Sequence, residues 1–162
     1  MFGRSKAPSM TLAEYALKLK DFSNDPEQIK HFFGQSPSLS PNDKLTRHAA
    51  ALQWYAVHLY NISMNYRNMP LVSIVRAATD SEATLGTKLM RQEYMDNLDP
   101  LLEKPGRTAM SESFVEDIGE KFSEVCGKDV SESRYDLASF GRLVYRSTFQ
   151  RCLDRFNGYI IR

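Results

Sequence analysis

The sequence predicts an all-α fold, a single-domain multi-helix bundle of six to seven helices around a long central helix. Three observations lead there. Six segments carry the Ser, Thr or Asp followed by an acidic or amide residue that marks helix N-termini: Thr11–Glu14, Asp25–Gln28, Ser40–Asp43, Thr79–Glu82, Ser113–Glu116 and Ser133–Asp136. From His48 to Tyr66 no Asp, Glu, Lys or Arg occurs, and the apolar residues there recur at helical spacing. Strand signals are missing, since there is no Asn-Gly or Asp-Gly turn and no repeat of fixed period.

Taken in order, residues 1–10 read as a flexible N-terminal tail, with 11–162 as one helical domain. Helices are expected near 11–22, 26–33, 41–68, 70–78, 81–103, 113–126 and 133–157. Thr11 opens the first, its hydroxyl placed to accept from the backbone at Glu14. Asp25 opens the second and is followed by Pro26, whose missing donor costs nothing in the first turn. Gly34 suits the stop, and 35–41 reads as a loop. Pro70 ends the long helix. The segment Leu71–Val75 is read as helix, with a short buried strand as the alternative. Pro105-Gly106 breaks the chain again, Gly127 closes the helix that Ser113 opens, and Gly158 lies near the end of the last one.

In the long helix, Leu45, Ala49, Leu52, Tyr55, Ala56, Leu59, Ile62 and Tyr66 share one broad face at about 100° per residue. Arg47, Trp54, His58, Asn61 and Asn65 fall on the far side and form a candidate partner-binding stripe, Trp54 being either core or surface. The uncharged stretch is nearly as long as a membrane-spanning helix, about 20 residues. Gln53, His58, Asn61, Ser63 and Asn65 inside it would be badly solvated in lipid, so no membrane span is expected. In the last helix, Leu137, Val144, Tyr145, Phe149, Cys152 and Phe156 line one side, with Arg151 and Arg155 at its margin.

Composition narrows function mostly by exclusion. A net charge of +1 over 162 residues is not that of a general polyanion binder. Two cysteines, Cys126 and Cys152, are too few for a disulfide framework and read as free thiols of a reducing compartment, hence a soluble, cytoplasmic chain. The N-terminus has no apolar segment of a secretory signal. His48 and His58 lie ten residues apart, about 15 Å along a helix, and cannot close one metal site. No Gly-rich phosphate loop and no nucleophile elbow occurs, so no cofactor, metal or catalytic residue is assigned.

Arginine is the remaining lead. Between Ser131 and Arg162 six arginines face three acids, and Arg142–Arg146 and Arg151–Arg155 are like-charge pairs one turn apart. Carboxylates of a neighbouring helix, an acidic partner or phosphate would each compensate them. Arg142, Arg146, Arg151 and Arg155 therefore join the candidate partner-binding residues. The expected function is a non-enzymatic protein–protein interaction module, an adaptor or accessory subunit. The alternatives are a nucleic-acid-associated regulator using the arginine helix, and an enzyme or small-ligand binder with a site assembled from distant residues.

Overall fold

The structure, a computed structural model, describes residues 7–162. Seven helices follow in order: α1 (Leu12–Ser23), α2 (Pro26–Gly34), α3 (Asp43–Asn65), α4 (Met69–Asp80), α5 (Leu85–Leu102), α6 (Glu112–Cys126) and α7 (Arg134–Phe156). Two short strands, β1 (Ser9–Met10) and β2 (Ile160–Ile161), pair in parallel and bring the chain ends together. This corrects part of the expected tail. Residues 1–6 lie outside the described residues, but Ser9 and Met10 are held by the ladder and Met10 is buried.

A capping side chain accepts at the starts of α1 to α5, whereas α6 and α7 begin at Ser111 and Ser133 without such a bond. Thr11 and Glu14 make the reciprocal capping box, and Asp25 accepts from the amides of Glu27 and Gln28. The third start belongs to Asn42, which accepts from Leu45, and not to Ser40. The Thr79–Glu82 signature opens nothing: Thr79 is buried within α4, and α5 is capped by Thr84. Ser113 likewise lies inside α6, whose N-cap is Ser111. Leu71–Val75 is helical, because Asn68 accepts from Leu71 and Pro70 occupies the first turn.

α3 is the axis, and all six other helices pack against it. Every residue from Ala51 to Asn61 is buried, so the helix has no solvent side over that span. The expected apolar face is correct through Leu59 but overextended, since Ile62 is half-buried and Tyr66 is 57% exposed. α6 and α7 approach most closely at glycines. A Cβ on Gly119 would lie 2.5 Å from the Ala138 carbonyl oxygen, and one on Gly141 would lie 2.8 Å from the Phe122 Cβ. The two cysteines are buried and unbridged, and burial pushes both thiols up to about 12. No helix of the described residues is long and apolar enough to cross a membrane.

Candidate functional site

The two sets of sequence-predicted residues meet different fates. Trp54 and Asn61 are about 1% exposed and His58 8%, which puts three of the five expected surface residues in the interior. The reason is the full encirclement of α3, which turns its polar stripe into a contact with α4 and α5. Trp54 donates from Nε1 to the Thr79 hydroxyl at 3.4 Å and stacks on His58, centroids 4.9 Å apart and 7° from parallel. Burial pulls the His58 imidazole down to about 4, with Arg76 adding to the effect and Asp80 opposing it. Asn61 donates to the Val72 carbonyl, and half-buried Asn65 donates to the Tyr15 hydroxyl at 3.0 Å. Arg47 alone of this set is exposed.

The α7 arginines do not form a common face. Arg151 pairs with Asp25 at 2.9 Å and its guanidinium lies 4.1 Å from the centre of the Phe22 ring, joining α7 to the start of α2. Arg155 stacks on Phe156 and Tyr159. Arg142, a candidate partner-binding residue, is half-buried: its stem lies against Gly119 and it donates to the Ser139 hydroxyl. Arg146 remains exposed.

A cleft lies between α2, α3 and the first turns of α5, with a volume of about 890 Å³. Ile29, Phe33, Pro41, Ala50, Ala51 and Met90 supply its apolar wall. Its charged residues are Asp25, Lys30, Arg47 and Arg91, and three of them are already balanced. Asp25 uses one oxygen to cap α2 and the other on Arg151. Lys30 pairs with Glu27. Arg91 pairs with Asp80 at 2.7 Å and also donates to the Thr79 carbonyl and to the Asn24 side chain. Arg47 forms no ion pair among the described residues; its Nε donates to the Asp43 carbonyl at 3.3 Å.

Two cleft residues hold donors that the protein leaves unused. Gln53, 1% exposed, has no partner for Nε2, and Arg91, 5% exposed, has none for Nε. An unsatisfied buried donor costs about 1–3 kcal/mol, so each of these two works against the stability of the fold. Neither residue is among the candidate site residues of the sequence, where Gln53 figures only as a polar residue of the uncharged stretch. For Arg91 a signal existed: Arg91, Tyr94 and Leu98 recur at i, i+3 and i+7 and are the buried residues of α5. Arg91 also faces Trp54, its guanidinium 5.2 Å from a ring centre, so α3, α4 and the α1–α2 turn converge on it.

A second polar cluster lies away from the cleft. His48, 2% exposed, hydrogen-bonds the Tyr94 hydroxyl through Nδ1 and donates from Nε2 to Asp129, both at 2.8 Å. The His48 bond holds the Asp129 carboxyl below its ordinary value. Tyr94 is fully buried and Asp129 is exposed, and the row ties α3 and α5 to the α6–α7 loop. No group of three or more His, Cys, Asp or Glu suited to a metal occurs among the described residues. Comparison of the chain with protein-family models, with curated proteins and with solved structures found no match.

Proposed function

We propose that this chain is a non-enzymatic binding module that holds an apolar small molecule in the cleft between α2, α3 and α5. The cleft itself carries the reading. Its volume of about 890 Å³ falls within the roughly 300–1,000 Å³ of small-ligand sites, which likewise combine apolar walls with a few fixed polar groups. Its lining favours binding over catalysis. It includes no histidine or cysteine, and its one carboxylate, Asp25, is engaged at both oxygens. A cytoplasmic location fits two unbridged thiols.

A neutral fluorescent probe, N-phenyl-1-naphthylamine, tests this. It should bind saturably to the protein, and Thr46→Trp, which places a large ring at the cleft wall, should abolish the signal. Ser63→Trp, on an exposed turn of α3 outside the cleft, should leave it unchanged. Equal binding by both variants would show that the probe sits elsewhere and remove the support.

A protein–protein interaction role, as an adaptor or accessory subunit, stands as the second reading because of Leu85 and Leu89. They lie one turn apart on α5 and are 72% and 62% exposed, a leucine pair facing water. Replacing both with serine should then remove a partner protein recovered by affinity capture, with the fold intact. The nucleic-acid alternative draws less support, because Arg142, Arg151 and Arg155 of α7 are engaged within the chain.

A further inference from the structure

We draw no further inference here: the strongest candidate, the apolar surface that Met64, Tyr66, Met69 and Ile74 expose around the turn between α3 and α4, carries nothing because nothing in the structure shows what covers it.

Discussion

His58 should make this protein lose stability on mild acidification. The side chain is 8% exposed, is stacked on Trp54, and has the Arg76 guanidinium among its surroundings. Its imidazole is depressed from 6.5 to about 4, chiefly by burial. The unfolded chain therefore takes up a proton near pH 6.5 that the folded chain refuses until near pH 4. Between those values the unfolded state binds more protons, so stability falls as pH falls and levels off below the folded value. At about 1.4 kcal/mol per pH unit the full loss is ~3 kcal/mol, with ~2 kcal/mol already gone at pH 5. Urea unfolding of the protein and of His58→Gln, measured at steps from pH 7.5 to 4, isolates the effect, because the other titrating groups are shared. The variant should lack most of the slope between pH 6.5 and 4. Parallel stability curves, or a His58 ring signal titrating near 6.5 in NMR, would refute the reasoning.

Three further outcomes follow from packing and charge. Gly141→Ala puts a Cβ 2.8 Å from the Phe122 Cβ, and thermal melting should show a loss of about 1–3 kcal/mol from overpacking of α7 on α6. Leu59→Ala, at a position 4% exposed on the central helix, should cost about 2–5 kcal/mol in chemical denaturation, and a change within about half a kcal/mol would mean that the site collapses around the missing atoms. Arg151→Ala removes an ion pair and a stacked contact and should cost about 1 kcal/mol, whereas exposed Arg146→Ala should fall within about 0.5 kcal/mol.

The fold was legible because its signals are local. Caps, prolines and helical periodicity act within one turn, and they locate all seven helices. They fail where the same spacing arises inside a helix, as at Thr79 and Ser113. The candidate site was not legible for a related reason. Periodicity reports that residues share a face and says nothing of how many faces a helix buries. Trp54, His58 and Asn61 form a real stripe, but α4 and α5 cover it. The cleft needs α2, α3 and α5 together, and an arginine on an apolar stripe becomes informative only once Asp80 and Asn24 are seen beside it.

The polar interior of α3 gives the last expectation. His48 bonds Tyr94 and Asp129, Trp54 reaches Thr79, Tyr55 donates to Asp99 and Asn61 donates to the Val72 carbonyl. Those polar residues spend their donors on a neighbouring element and hold it in register. Gln53 is buried as deeply, yet its Nε2 has no partner, and it is one of the residues that line the cleft. A residue retained only for packing would be better replaced by leucine, which is of similar size and has no group to leave unsatisfied. Gln53→Leu should therefore raise stability by about 1 kcal/mol, less than the full desolvation cost because the cleft admits some relaxation. Chemical denaturation of the ligand-free protein reads this directly. A loss above about 1 kcal/mol would show that the amide already has a partner within the fold.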